Sequence, residues 1–344
     1  MPRKKLQRQK WSGILFIALF SFSALYLAEM PIIKQLSISP LIVGIALGMV
    51  YANSLRVHLP DEWVPGVIFC TKSLLRWGII LYGMRLTYQD VASVGMAGLS
   101  VDVTIVATTL ILGMIVGRAL KIDGDLTLLT ATGSSICGAA AVLGTEPVLK
   151  SEPYKTAIAV ATVVIFGTIA MFLYPILYRS GVTGLSPTQM GIFSGSTLHE
   201  VAHAVGAGDA MGPEVGNIAV IVKMLRVILL APVLLLMALI IPKIRKGRTE
   251  KSQKAKITIP WFAFGFLVVI GINSLQIIPE PIVDLIKYID TLFLTMAMTA
   301  LGVETNFSKF KQAGPKPFLL AFILFIWLMG GGFLLSKYVA PIFG

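Results

Sequence analysis

One short segment of the sequence has the residue types and the spacing of a metal site. Residues 199–203 read HEVAH and match the H-E-x-x-H pattern, in which two histidines one helical turn apart bind zinc and the glutamate is a general base. Asp209 is a candidate third ligand, although it follows His203 by only six residues, whereas a closing ligand usually comes from a separate element. An intramembrane zinc metalloprotease that uses His199, Glu200 and His203 is therefore one hypothesis.

The same three side chains also suit a transporter, and we favour that interpretation. They follow residues 194–198, SGSTL, whose small and hydroxyl-bearing side chains are typical of a substrate cavity. Because histidine titrates near neutral pH, a cluster of histidine and glutamate can take up and release a coupled proton. We predict that His199 and His203 bind substrate and that Glu200 carries the coupling charge, with a buried structural network as the alternative.

Five further ionisable residues lie within apolar segments, where a charge costs several kcal/mol and usually serves function. They are Arg76, Arg85, Asp102, Lys223 and Arg226. Lys223 and Arg226 are spaced to share one face of a helix, where they would balance negative charge. The four cations outnumber Asp102 and Glu200, which favours an anionic substrate. A structural ion pair of Asp102 with one of the two earlier arginines is the alternative.

The composition indicates that lipid surrounds most of these residues. Of the 344 residues, 56% are hydrophobic and 13% are charged, and the mean hydropathy is +0.83. A soluble domain carries roughly 25% charged residues, so most of this surface must face hydrocarbon. The net charge of +12 lies largely in short stretches between apolar runs, a pattern of membrane topology that argues against a nucleic-acid partner.

Eleven apolar segments are candidate membrane-spanning helices, since about 20 apolar residues cross a bilayer. They cover residues 11–30, 39–53, 65–86, 94–117, 126–144, 156–178, 189–207, 215–242, 258–278, 283–303 and 317–339. With the N-terminus inside, nineteen lysines and arginines fall in inner segments and four in outer segments. We therefore expect a multi-pass protein of the bacterial inner membrane with a cytoplasmic N-terminus and a periplasmic or extracellular C-terminus.

Two of these segments are dense in glycine, hydroxyl-bearing and small residues. They are the fifth, at 130–142, and the tenth, at 295–305. If the first segment is an extra helix, spans two to six form one half of the chain and spans seven to eleven form the other, and the two halves have opposite orientations in the membrane. In each half, the segment that is dense in small residues is the fourth span. Paired interruptions of this kind indicate a transport site at the bilayer midplane. Close packing of helices through small residues is the alternative interpretation.

This pattern predicts an all-α membrane protein with an inverted five-plus-five repeat and two crossing discontinuous helices. Its parts are 1–38, the tail and an extra helix; 39–178, the first repeat; and 179–344, the second repeat, with a basic cytoplasmic loop at 243–257. Substrate would lie between the two interrupted spans. The residues predicted to bind it there are Ser134, Ser135, Cys137, Gly138 and Thr299.

Three motifs resemble the YeiH family of bacterial membrane proteins, which is also called a sulfate exporter family. They are GSSICGAAAV at 133–142, GSTLHEVAH at 195–203 and TMAMTALG at 295–302. The resemblance implies an inner-membrane protein whose fold is similar to that of the bile-acid/sodium symporters and sodium/proton antiporters. In those folds two broken helices cross, and here they would be spans five and ten.

We therefore expect a secondary transporter that moves a small anion, such as sulfate or an organosulfonate, by alternating access. We expect no enzymatic activity, no cofactor and no resident metal. The sequence leaves open whether the coupling ion is a proton or sodium, and whether the chain forms a homodimer. A passive anion channel and the zinc protease stay as alternatives.

Overall fold

A computed structural model describes residues 3–31, 33, 39–54, 60–244, 261–305 and 314–343. Every regular element in these residues is a helix, which confirms the all-helical fold class. Lys34, Arg56, Lys309, Lys311 and most of the basic loop at 243–257 lie outside the described residues. The predicted orientation of the chain in the membrane, which depends on those charges, therefore stays a prediction.

Seven helices in the described part of the chain are long and apolar enough to cross a membrane. They are α1 (Arg3–Ala28), α3 (Asp61–Arg85), α4 (Tyr88–Ala119), α7 (Pro153–Arg179), the pair α10 (Pro213–Ile228) and α11 (Leu230–Ile244), α13 (Glu280–Glu304), and α14 (Pro315–Phe343). Two shorter apolar helices, α2 (Pro40–Ser54) and α12 (Trp261–Ser274), coincide with the predicted second and ninth spans.

The predicted fifth and seventh spans are each divided into two half-helices. The fifth consists of α5 (Gly124–Ser135) and α6 (Ala139–Leu149), and the seventh consists of α8 (Pro187–Thr197) and α9 (Val201–Met211). The break in the fifth span lies within the small-residue segment that predicted it. The break in the seventh span was not predicted.

The tenth span differs from the prediction, because α13 runs without interruption. Its small residues serve close packing instead: a Cβ on Gly48 of α2 would overlap the backbone oxygen of Thr299, and one on Gly302 would overlap that of Ile45. The hydroxyl of Thr299 donates to the backbone oxygen of Thr295, 2.8 Å away, so it is satisfied inside the helix. The expected discontinuity at 295–305 is therefore wrong.

The chain forms two compact units. The first unit contains residues 1–91, 205–217 and 261–307, and the second contains 92–204, 218–260 and 308–344. In the first unit, α13 packs against α1, α2 and α3. The predicted repeats at 39–178 and 179–344 concern internal symmetry, which this division does not test, so they stay a prediction.

In the second unit, two apolar clusters hold the half-helices in place. The first cluster joins α5, α6 and α7 through Leu126, Leu129, Val142, Leu149, Ala159 and Val163. The second joins α4, α8, α10 and α14 through Val94, Ala97, Val101, Ile105, Ile192, Ile218, Val222, Leu328 and Ala340. Both half-helices that precede a break, α5 and α8, therefore pack against neighbouring helices of this unit.

The packing of α2 on α13 leads to a test of stability. Gly48→Ala should lower the melting temperature in detergent, because overpacking a tight contact costs about 1–3 kcal/mol. Gly95→Ala is the matched control: Gly95 lies in helix α4, a Cβ added there would meet nothing within 4 Å, and alanine favours helix over glycine by about 1 kcal/mol. Intrinsic tryptophan fluorescence can follow unfolding. Equal melting temperatures for the two variants would contradict the close approach.

Candidate functional site

The break between α5 and α6 is made by a glycine. Gly138 has φ 67° and ψ −131°, a conformation that residues with a Cβ rarely adopt. Ile136, at the end of α5, also leaves the helical region, with φ −122° and ψ −84°. The chain therefore stops one helix and starts another within three residues, all of them buried.

The start of α5 is fixed by Asp123. Its Oδ1 accepts hydrogen bonds from the amides of Asp125 and Leu126, at 3.0 and 3.2 Å, and an ion pair from Lys155 of α7 at 3.0 Å. Partial burial raises the pKa of Asp123, but the hydrogen bonds from Lys155 and the two amides outweigh it and hold that pKa below its usual range. These contacts set the position from which α5 runs toward its break.

The break between α8 and α9 lies in an extended stretch. The helix α8 begins with a capping box, in which Ser186 and Gln189 each bond the backbone of the other, and it ends at Thr197. Leu198 then has ψ 142°, and α9 begins at Val201. His199 and Glu200 thus stand in the break itself.

Two buried cations satisfy the carbonyl groups that these breaks leave free. The ammonium group of Lys223 donates to the backbone oxygen of Ile136 at 2.8 Å and to that of Leu198. The guanidinium of Arg226 donates to the oxygens of Ser135 at 2.6 Å, Ser134 at 2.8 Å and Leu198 at 3.3 Å. Both side chains have 0% of their surface exposed. The two cations therefore join the C-terminal ends of α5 and α8.

The electrostatics of these contacts are favourable because the last carbonyls of a helix carry partial negative charge. An unpaired cation would be costly in an apolar interior, and unpaired carbonyls would also be costly. Since Lys223 and Arg226 lie one turn apart on α10, a single helix face supplies both cations. Their charge is directed to the backbone of the breaks, a use that the sequence did not reveal.

Glu200 lies at the N-terminal end of α6. Its Oε1 accepts a hydrogen bond from the amide of Ala139 at 3.3 Å. Gly138 lies so close that a Cβ there would be 2.5 Å from Cγ of Glu200. Glu200 also interacts electrostatically with Lys223 and with the thiol of Cys137. A carboxylate therefore occupies the end of the half-helix where anions bind most favourably.

The two histidines are buried beside α7. His199 is 1% exposed and His203 is 0% exposed, and a Cβ on Gly167 would overlap the ring of His203. Nδ1 of His199 and both ring nitrogens of His203 have no hydrogen-bond partner among the described residues. The absence of a side chain at Gly167 is what allows these rings to pack against the helix.

The arrangement does not fit the zinc-protease helix that the sequence pattern suggests. That motif requires both histidines on one face of a continuous helix. Here His199 precedes the start of α9, and the carboxylate of Glu200 is directed to Ala139. Asp209 is hydrogen-bonded to Ser39. Among the described residues, no group of three or more potential metal ligands comes together.

Several polar groups of the second unit are buried without a hydrogen-bond partner in the described part of the chain. They include both carboxylate oxygens of Asp102 and the hydroxyls of Ser134, Ser194 and Thr130. Asp102 is fully buried on α4 and is attracted by Arg226 and Lys223. The pairing of Asp102 with an earlier arginine is therefore replaced by an interaction with the two cations of α10.

Some predicted site residues lie in the first unit. Arg85 forms an ion pair with Asp290 at 2.9 Å, and its guanidinium also donates to the hydroxyl of Thr291 at 2.7 Å. Arg76 is exposed. Thr299 accepts a hydrogen bond from Ser21 of α1 at 3.2 Å. Arg85 and Thr299 therefore form part of the helix packing of that unit, whereas Arg76 lies on its surface.

Sequence reasoning missed Asp290 and the contacts of Tyr174 with the end of α8. Asp290 lies inside the predicted tenth span, and the rule that identified the other intramembrane charges would have found it. The hydroxyl of Tyr174 on α7 lies 3.0 Å from that of Thr197 at the end of α8, and its ring stacks on Phe193 at 4.6 Å. No pattern in the sequence indicates that contact.

The cation contacts lead to a second prediction. Arg226→Lys keeps the positive charge, but a lysine lacks the planar guanidinium that donates to three carbonyl oxygens. At least one charge-assisted hydrogen bond is therefore lost, which should lower the free energy of unfolding by about 2 kcal/mol. The melting temperature in detergent should fall by roughly 5 °C. Arg118→Lys, at the exposed end of α4, is the control and should change little. If the two variants have the same melting temperature, the hydrogen bonds of Arg226 do not stabilise the helix breaks.

Comparisons with known proteins place this chain among membrane proteins. A family described as conserved hypothetical protein 698 matches residues 12–321. A UPF0324 membrane protein of Bacteroides thetaiotaomicron is 56% identical over 330 residues, covering 96% of this chain and 98% of that protein. A UPF0324 membrane protein of Pseudomonas putida is 46% identical, covering 98% and 96%. The UPF0324 inner membrane protein YeiH of Escherichia coli K12 is 44% identical, covering 96% and 95%.

Proposed function

This chain belongs to the UPF0324 family of membrane proteins, which includes YeiH, and we propose that it is a secondary transporter of small anions in the bacterial inner membrane. The resemblance that the sequence motifs indicated is thereby confirmed at the level of the family. The transport activity, the anion and the orientation, with the N-terminus in the cytoplasm, are our proposal.

The observation that carries the proposal is the pair of helix breaks joined by buried cations. Helices are broken at membrane depth only where the broken backbone is buried in protein or lines a cavity. Transporters use such half-helix ends to bind ions and substrates near the bilayer midplane. In this chain, α10 reaches both breaks through Lys223 and Arg226, and thus brings the two sets of half-helix ends into one region of the second unit.

An anion is the substrate class that this region favours. The C-terminal ends of α5 and α8 are already neutralised by the cations, whereas the N-terminal end of α6 points its amides at a carboxylate. A sulfate or sulfonate group presents the same kind of acceptor oxygens as that carboxylate. Ser134 lies on the turn that ends at this break, and its buried hydroxyl has no hydrogen-bond partner among the described residues.

Proton coupling is the second part of the proposal. Two cations, Lys223 and Arg226, interact with two carboxylates, Asp102 and Glu200, so the formal charges of these four groups cancel when the histidines are neutral. Bringing in an anion without a compensating proton would leave buried negative charge. Glu200, half-buried at the break, is the group best placed to accept that proton.

Proteoliposomes provide the test. Proteoliposomes that contain the purified protein should take up labelled sulfate or isethionate faster when a pH gradient is imposed. The acidic side is the side from which the anion is taken up. Glu200→Gln should abolish the effect of the gradient, because the amide cannot carry a proton, while the protein still folds. Exchange of labelled for unlabelled anion should persist in this variant.

Glu146→Gln is the matched control, since it removes a carboxylate from the opposite end of the same half-helix α6. It should keep the response to the gradient. Uptake by Glu200→Gln that still follows the pH gradient would exclude Glu200 as the coupling residue. Conduction that is independent of any counter-ion would point to a channel instead.

A further inference from the structure

We propose that Glu200 is a built-in competitor of the transported anion: its carboxylate occupies the anion site at the N-terminus of α6 when no substrate is bound, and substrate enters only when that carboxylate is neutralised or displaced. This inference rests on the proposed function, since it specifies what happens at the same site. It assigns to Glu200 a role in binding, beyond the carriage of a proton.

The position of Glu200 supports this role directly. Its Oε1 is 3.3 Å from the amide of Ala139, the first residue of α6. The amides of Ala141 and Val142, which complete the first turn of α6, already donate to the oxygen of Gly138 at 3.1 and 3.2 Å. The carboxylate therefore takes the position in which an external anion would meet the N-terminus of this eleven-residue helix.

The geometry of Gly138 keeps that position open to a carboxylate. A Cβ at residue 138 would lie 2.5 Å from Cγ and 3.1 Å from Oε1 of Glu200. Only glycine leaves room for the side chain to reach the amide, and only glycine adopts the positive φ without strain. The same residue thus breaks the helix and admits the carboxylate.

Further polar groups in the segments that form the two breaks are available to a ligand. The hydroxyl of Ser134 and Nδ1 of His199 are both buried, with 0% and 1% of the residue exposed, and neither has a hydrogen-bond partner among the described residues. Buried polar groups are normally satisfied, so unpaired ones point to a missing partner. Tetrahedral sulfate or sulfonate oxygens would accept from the hydroxyl and from a ring N–H.

The charges around Glu200 explain why an anion and its carboxylate exclude one another. Glu200 interacts electrostatically with Lys223 on α10 and with Cys137 in the break. Lys223 and Arg226 interact in turn with Asp102 on α4, and with His199 in the segment of Glu200. When Glu200 is ionised, the formal charges of the two cations and the two carboxylates cancel. Adding an anion to that balanced set is unfavourable, whereas neutral Glu200 leaves one net positive charge to attract it.

The consequence is that uptake of a proton by Glu200 favours binding of the anion. Because an ionised Glu200 and a bound anion compete for the amide of Ala139, binding of the anion requires uptake of a proton or withdrawal of the carboxylate from the break. Without substrate, the carboxylate itself satisfies the end of α6. The site is therefore closed to anions by one of its own side chains.

Equilibrium binding to the full-length protein in detergent tests the inference. Sulfate and isethionate titrated by calorimetry at neutral pH should bind Glu200→Gln and Glu200→Ala about tenfold more tightly than wild type, because the tethered competitor has lost its charge or is gone. Glu146→Gln should bind as wild type does. Melting curves recorded without ligand establish that each variant is folded.

The possible outcomes separate this inference from the proposed function. If both Glu200 variants bind the anions as tightly as wild type does, or more weakly, Glu200 does not compete with the anion. Such a result would contradict this inference but not the proposed anion transport. No binding of either anion by any variant would overturn both, since removal of the competitor should expose the site. Tighter binding confined to the Glu200 variants supports the inference.

Discussion

The second unit depends on the capture of helix-end carbonyls by two cations. A helix that stops in an apolar interior leaves carbonyl groups that neither water nor a following turn can satisfy. Lys223 and Arg226 meet this requirement at both breaks, and Leu198 accepts from each of them. Without these contacts the breaks at 136–138 and 198–200 would be too costly to form, and the half-helix ends would not be available for binding.

The glycines of the two motifs place the cations within reach. A Cβ on Gly195 of α8 would lie 2.5 Å from the oxygen of Ala219 and 2.7 Å from Cβ of Val222 on α10. A Cβ on Gly133 would lie 2.6 Å from a methyl of Val142 and 2.9 Å from one of Val163. Such close helix contacts are typical of membrane proteins, in which small residues let backbones approach. Gly195 therefore lets α10 approach α8 closely, and Gly133 lets α6 and α7 approach α5.

The need to satisfy the free helix-end carbonyls also determines what the buried ionisable groups contact. Lys223 and Arg226, which the sequence predicted to balance negative charge, are hydrogen-bonded to the protein backbone, and they also interact electrostatically with Asp102 and Glu200. The opposite polarity is found at the N-terminus of α6, where the amide of Ala139 donates to Glu200. The buried histidines lie close by, against the bare backbone at Gly167. Under the proposed function, proton uptake and anion binding would therefore involve neighbouring groups of the second unit.

Sequence reasoning located the break at Gly138 but misplaced its counterpart. Glycine, threonine and alanine occur both where a helix breaks and where two helices pack closely, so the segment at 295–305 looked like a break. The partner that distinguishes the two cases, Gly48 on α2, is more than two hundred residues away in the sequence. The sequence identified Lys223 and Arg226 as charges within apolar segments. Their partners could not be predicted, because they are backbone carbonyls, which every residue has and which no sequence pattern distinguishes.

The most direct measurement of the central claim is a solid-state NMR distance in lipid bilayers. Protein labelled with ¹⁵N at lysine side chains and ¹³C at isoleucine carbonyls should show a strong dipolar coupling from the contact of Lys223 with Ile136, in which Nζ is 2.8 Å from the oxygen. The coupling should disappear in Ile136→Val, which lacks that labelled carbonyl. Identical spectra for wild type and this variant, without a short-range coupling, would contradict the capture of the helix ends by buried cations.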